Sequence, residues 1–216
     1  MTEKIFYQNP RQVEFNATVT TCTPTEDGTF LITLDRTAFF PEEGGQNADS
    51  GFINNIEVLD VQIKDDIIYH KMPVAFIPGD TVKGNVDWDK RFDYMQQHSG
   101  EHIISGLVNH MYGFNNVGFH LGDEEVTLDF DGVLTLDQLR EIEVIANHAI
   151  ARDLPILISF PSKDDLDLLN YRSKIEIEGD VRIVVIPGID VCACCAPHVD
   201  TTGEIGLVKI TNVQKH

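Results

Sequence analysis

Basic side chains are scarce in this sequence. Sixteen lysines and arginines stand against 35 aspartates and glutamates, for a formal net charge of −19. That deficit argues against DNA or an anionic membrane surface as a partner, and it suits a well-solvated body. Long apolar runs are missing too, so nothing reaches the length needed to span a bilayer. The opening Met1-Thr2-Glu3-Lys4-Ile5-Phe6-Tyr7 has neither the apolar core nor the cleavage site of a secretory signal. There is no internal repeat and no low-complexity tract. Cysteine is used four times, and three of the four fall between Cys192 and Cys195. Thiols that close together do not make an ordinary disulfide framework. Beside a histidine they read as metal binding in a reducing compartment, with the cytoplasm as default location.

What is present suffices for one large domain or two small ones: 216 residues, 42% of them hydrophobic. Residues 12–87 read as β. Val13 to Thr23 and Thr29 to Leu34 are β-branched runs around the turn Pro24-Thr25-Glu26-Asp27-Gly28. Ile56 to Ile63, Ile67 to His70 and Thr81 to Trp88 follow. Short strands with frequent turns suggest a small barrel or sandwich. At Asp89 the apolar period becomes helical and runs to about Tyr112. Asp93, Gln97 and Glu101 form a polar stripe on this helix, with Met95, His98, His102 and Gly106 on a neighbouring face. Strands are expected at Val117 to Leu121, Glu125 to Phe130, Ile156 to Phe160, Val181 to Ile186 and Ile205 to Val213. A second helix spans Thr135 to Asp153, with Thr135 and Gln138 in capping-box spacing. A short helix opens on Ser162. The chain thus reads as α+β, with domains at 1–88 and 89–216 and a linker short enough for them to pack closely.

Two histidines one helical turn apart, His98 and His102, share that turn spacing with the pair Cys194 and His198. Residues i and i+4 on a helix lie about 6 Å apart at Cβ, so both imidazoles can face one cation. A single Zn2+ is the first hypothesis for these four residues. Residues 103–193 separate the pairs, so only a folded domain brings them together. Four protein ligands make a closed structural site; three plus water make an open catalytic one, and the spacing leaves both open. Glu101 is rotated about 100° from His102 on the helix. It does not stand where the base of a His-Glu-x-x-His peptidase would, which argues against that class.

Three segments in order carry a family resemblance. They are Thr37-Ala38-Phe39-Phe40-Pro41-Glu42-Glu43-Gly44-Gly45-Gln46-Asn47-Ala48-Asp49-Ser50-Gly51, Gln96-Gln97-His98-Ser99-Gly100-Glu101-His102-Ile103-Ile104, and Cys194-Cys195-Ala196-Pro197-His198-Val199-Asp200-Thr201-Thr202-Gly203-Glu204-Ile205-Gly206. Together they resemble the editing region of alanyl-tRNA synthetase and its freestanding relatives, the AlaX proteins. The Gly44-Gly45-Gln46 loop and the length look like the medium-sized class. The resemblance implies a small N-terminal β-barrel domain packed on a C-terminal α/β-sandwich-type editing domain with an antiparallel or mixed sheet. It implies a zinc-dependent hydrolase that clears seryl- or glycyl-tRNA(Ala), with the acceptor end of aminoacyl-tRNA(Ala) as partner. By position, His98, His102, Cys194 and His198 match the family's metal ligands. The loop departs from the synthetase's Cys-Gly-Gly-Thr-His: it reads Cys-Cys-Ala-Pro-His, stiffer at Pro197, with Cys192 and Cys195 as competing thiols.

A site that accepts serine and spares alanine needs a buried polar partner for the seryl hydroxyl. His120 and Thr127, on the strands after the first helix, are the candidates for that role. No residue stands out as a general base, and His120, Thr127 and Gln46 are the catalytic candidates. Gly44, Gly45 and Gln46 form a loop expected to reach the tRNA end, the glycines allowing close backbone approach. The basic residues that could meet phosphate, among them Arg91, Arg172, Lys174, Arg182 and Lys215, are scattered along the chain. Two other readings remain open: a hydrolase of another aminoacyl ester, and a non-catalytic binding protein stabilised by a closed zinc site.

Overall fold

The computed structural model describes residues 2–122, 125–173 and 180–214. Lys174 and Lys215 therefore lie outside the described residues. The chain divides into two compact units, one running to Tyr94 and the other starting at Met95.

In the first unit, β1 (Glu3–Lys4) runs parallel to β4 (Arg36–Thr37), and α1 (Ile5–Gln8) is a single turn between β1 and the main sheet. That sheet contains β2 (Glu14–Pro24), β3 (Phe30–Leu34), β5 (Gly51–Ile53), β6 (Ile56–Glu57), β7 (Asp60–Lys64), β8 (Ile67–Met72) and β9 (Thr81–Val86). Its order is β6-β5-β9-β2-β3-β8-β7, with every pairing antiparallel. The long strand β2 pairs with β9 through its first half and with β3 through its second, with a register shift between Val19 and Thr21. A bulge of this kind raises local twist, and the sheet curls into a half-barrel. Alternation sets its inner face: Phe15, Ala17 and Val19 on β2 and Val82 and Val86 on β9 are buried. Gly84 has no side chain where the Phe15 ring lies against it. The expected run Ile56 to Ile63 is two strands, β6 and β7. Two-residue turns with positive φ close the hairpins, Asn54-Asn55 before β6 and Asp65-Asp66 before β8.

The Gly44-Gly45 pair is a third such turn. Both glycines have positive φ, at 64° and 83°, and the backbones of Glu43 and Gln46 exchange hydrogen bonds across it. At the base of this loop, Asp49 accepts hydrogen bonds from the guanidinium of Arg91 and from the Phe40 amide. Arg91 also donates to the carbonyls of Pro10 and Ala38. Both charges are buried, and both Asp49 oxygens and all three Arg91 guanidinium nitrogens are hydrogen-bonded, the condition under which a buried pair is tolerated.

The helix α2 (Trp88–Tyr112) contains the unit boundary after its second turn. The second unit continues with the hairpin β10 (Asn116–Leu121) and β11 (Val126–Phe130), the helix α3 (Leu136–Ala151), β12 (Leu157–Ser159), α4 (Lys163–Leu168), β13 (Ile183–Ile186) and β14 (Asp190–Ala193). The last three strands pair antiparallel in the order β12-β13-β14. Helix α3 opens with the expected capping box: Thr135 accepts from the Gln138 amide, and Gln138 reaches back to the Thr135 amide. Ser162 caps α4 without a capping box: its Oγ accepts from the Asp165 amide and donates to the Asp165 carboxylate. The strand expected over Ile205 to Val213 does not form. Thr202–Ile205 is a 3-10 turn and residues 206–214 have no regular structure. Side chains take over the tethering there: Asn147 of α3 bonds both the carbonyl and the amide of Val208.

Candidate metal centre

Helix α2 is buried on all sides from His98 to Val108, with His98 and His102 on the side opposite Ile103, Ile104, Leu107 and Val108. The polar stripe read from Asp93, Gln97 and Glu101 ends early. Asp93 and Gln97 are exposed, but Glu101 is buried. Gly106 explains how close the helix comes to the β13–β14 turn. A Cβ there would lie 2.5 Å from the carbonyl oxygen of Ile189 and 2.7 Å from Cβ of Asp190. Beyond β14 the chain bends through Cys194 to His198. Arg182 holds that bend, donating from Nη1 to the carbonyls of Cys194 and Ala196, both at 2.8 Å, while its own carbonyl accepts from the Cys194 amide.

His98, His102, Cys194 and His198 thereby come together, each offering one donor atom, with all four atoms within 4.8 Å of one another. Cys194 Sγ lies 3.5 Å from Nε2 of His98 and 3.4 Å from Nε2 of His198. Zn–S of about 2.3 Å and Zn–N of about 2.05 Å at a tetrahedral angle give an N···S separation of roughly 3.6 Å, so the donor set fits a zinc ion. The remaining ring nitrogens support the same assignment. Nδ1 of His102 is 2.8 Å from Asp190 Oδ2, and Nδ1 of His198 is 3.0 Å from Ser99 Oγ. With those nitrogens donating, Nε2 of both rings presents its lone pair to the cluster.

Asp190 is itself clamped. Arg172 donates from Nε to Oδ1 and from Nη2 to Oδ2, each at 2.7 Å. Burial alone would raise the Asp190 carboxyl, but the bonds from His102 and Arg172 outweigh it and hold the pKa below the ordinary value. Burial also works against the imidazolium of His102, and Asp190, Cys194 and Glu101 overcome it, holding His102 well above the ordinary histidine; a metal ion binds Nε2 by displacing that proton. Cys194 moves the opposite way. Burial opposes its thiolate, and the charges of His98 and His198 with hydrogen bonds from His102 and His198 bring it well below a free thiol. A thiolate is the form that binds metal.

These relations sort the competing thiols. Cys192 Sγ donates to the Ala193 carbonyl, and burial pushes its thiol up to about 11. Cys192, His102 and Asp190 also approach within 4.8 Å of one another. Both Asp190 oxygens are committed to Arg172 and His102, however, so this second group serves the first. Cys195 is half-buried and outside both groups.

The other expected site residues are not among the four donors. His120 and Thr127 are cross-strand partners on β10 and β11, both exposed. Their neighbour Phe119 stacks edge-on against His98, with ring centroids 4.7 Å apart. Alternation therefore puts His120 and Thr127 on the face opposite the one that meets His98. Gly44, Gly45 and Gln46 belong to the first unit; the glycines are exposed and the Gln46 side chain is buried. Sequence reasoning missed Asp190, Ser99 and Phe119, and read Arg172 and Arg182 only as basic residues that could meet phosphate. Ser99 alone had a signal, its place beside His98 on the helix.

Comparison with known proteins shows what the chain is similar to. The family described as threonyl and alanyl tRNA synthetase second additional domain matches residues 181–216, and that described as tRNA synthetases class II (A) matches residues 4–90. An alanine–tRNA ligase of Methanococcus maripaludis is 34% identical over 99% of this chain and 25% of its own length. The alanyl-tRNA editing protein Aarsd1 of Rattus norvegicus is 34% identical over 94% of this chain and 53% of its own. Aarsd1-A of Xenopus laevis is 35% identical over 86% and 46%. The chain thus spans about half the length of the Aarsd1 relatives, or less, and a quarter of the ligase. With matches across nearly its whole length, the chain is similar to alanyl-tRNA editing proteins and to part of alanine–tRNA ligase.

Proposed function

We propose that this chain hydrolyses, in trans, the ester of wrongly charged tRNA(Ala), with seryl-tRNA(Ala) as main substrate and glycyl-tRNA(Ala) as a second, and that it does so in the cytoplasm as a medium-sized member of its family. The observation that carries the reading is the meeting of His98, His102, Cys194 and His198, from a helix and a distant loop, in a chain similar to alanyl-tRNA editing proteins. These four residues would hold one Zn2+ per chain. When bound, that ion supplies a Lewis acid and an activated water for ester hydrolysis. The chain's own groups hold the donors: Asp190 aims His102, Ser99 aims His198, and Arg182 fixes the loop that carries Cys194. Cys194 is the least buried of the four, so substrate approaches from its side. The exposed backbone of Gly44 and Gly45, with Gln46 buried behind it, would contact the tRNA end.

The burial of three of the four donors favours a second reading, a closed site that only stabilises the second unit. Deacylation separates the two. Purified, zinc-loaded protein is incubated with Ser-tRNA(Ala) and Ala-tRNA(Ala), with and without chelator. Chelator-sensitive loss of the seryl ester alone is expected. A folded, zinc-loaded protein that deacylates neither is the closed-site protein.

A further inference from the structure

Glu101, Ser105 and Asn116 form a buried polar group next to the metal-ligand cluster. Ser105 Oγ donates to Glu101 Oε1 at 2.6 Å, and Asn116 Nδ2 donates to the same oxygen at 2.7 Å and to Ser105 Oγ at 2.8 Å. These bonds fix the Asn116 amide. Turned over, its carbonyl would face a carboxylate oxygen, acceptor against acceptor. Its Oδ1 is therefore directed away from the tie, and among the described residues it has no hydrogen-bond partner although Asn116 is only 5% exposed. Buried carbonyls are nearly always satisfied, so an acceptor in this state points to a ligand that donates. At the other end of the group, Glu101 Oε2 lies 3.8 Å from His102 Nε2, the ring nitrogen that Asp190 leaves for the cluster.

We propose that Glu101 and Asn116 form the subsite for the α-ammonium group of the aminoacyl ester. The inference rests on the deacylase reading above. In such an ester the ammonium is on the carbon next to the carbonyl under attack, so it must sit close to the metal. Two cations there repel each other in a medium of low dielectric. A carboxylate beside a ligand histidine offsets that repulsion, and an ammonium has three donors to share between Glu101 and the Asn116 carbonyl. A hydroxyl has one donor and no charge, so it uses neither feature fully.

The test is binding by calorimetry to the full, zinc-loaded chain, using three non-hydrolysable ligands. The first is serine in amide linkage to 3′-amino-3′-deoxyadenosine. The second lacks its α-amine, and the third lacks its side-chain hydroxyl. Wild type is expected to prefer the first over the second by roughly 10- to 100-fold, the range of one charge-assisted hydrogen bond. Glu101→Gln and Asn116→Ala should lose most of that preference while keeping zinc content and the preference for the first ligand over the third. Ser105→Ala, which cuts one strut and leaves both acceptors, should keep it. Equal binding of amine and des-amine ligands by wild type overturns the proposal. So does a Glu101→Gln protein that loses hydroxyl discrimination instead, or a Ser105→Ala protein that fails as completely as Glu101→Gln. Turnover of Ser-tRNA(Ala) without amine discrimination sinks this inference alone; no turnover and no binding of any ligand sink the deacylase reading with it.

Discussion

Asp190 stands between Arg172 and His102 and determines which nitrogen of His102 faces the cluster. Asp190→Asn removes the charge and can turn its amide nitrogen toward the ring. We expect zinc affinity, read by competition with a chromophoric chelator, to fall about 10- to 100-fold while the fold survives. Unchanged affinity would reduce Asp190 to a packing residue. The thiols divide similarly: Cys194→Ser should lose zinc, whereas Cys192→Ser and Cys195→Ser should retain it, as measured by bound metal per chain. In the first unit, His70 is fully buried and bonded to Thr37, and burial lowers it from 6.5 to about 4. The unfolded chain takes up this proton near pH 6.5 and the folded unit only near pH 4. The stabilisation is therefore complete above about pH 6.5 and is lost as pH falls toward 4, by about 3 kcal/mol. Urea unfolding at pH 7 and pH 4.5 should show a smaller pH-dependent loss in His70→Gln than in wild type. The pairs His98/His102 and Cys194/His198 were legible in the sequence because each sits within one turn. Asp190 and Arg172 were not, since nothing local marks a carboxylate that will meet a histidine 88 positions away.

At the scale of elements, the capping box of α3 and the Ser162 cap of α4 were legible because their partners are three residues apart. Thr135→Ala should cost about 1 kcal/mol in thermal or urea unfolding. Helix α2 was legible as a helix but not in its faces. Glu101 reads as solvent-facing until Asn116, on a strand that follows, covers it. The missing last strand has a related cause: the apolar alternation of Ile205 to Val213 found no neighbouring strand edge, and Asn147 and Glu143 of α3 bind its backbone instead. Gly106 reverses a general rule. In an open helix Gly→Ala gains about 1 kcal/mol. Here the added Cβ would run into Ile189 and Asp190, so Gly106→Ala should lower stability and weaken zinc binding together, as the β13–β14 turn draws Asp190 away from His102. A stabilised variant with unchanged zinc affinity would contradict the close approach.

For the whole molecule the acidic balance has a structural counterpart. Three arginines that could have met phosphate work internally: Arg91 on Asp49, Arg172 on Asp190, and Arg182 on the loop carbonyls. Among the described residues, Arg140 and Arg152 remain exposed, far fewer than the acidic side chains around them. Weak binding suits an enzyme that must release its product tRNA. With one or two phosphate contacts, the apparent second-order rate should fall by about tenfold or less between 50 and 200 mM salt. A steeper fall would show that more phosphates are met than this. No helix among the described residues is long and apolar enough to cross a membrane. The central claim is that the His98, His102, Cys194 and His198 group is a metal centre for ester hydrolysis. It is tested most directly by measuring serine released from Ser-tRNA(Ala) by one preparation taken through three states: zinc-loaded, chelated and reloaded. The account predicts multiple turnovers, their loss on chelation and their return with zinc. No release by the folded, zinc-replete chain, or release that persists once the metal has been removed, would contradict it.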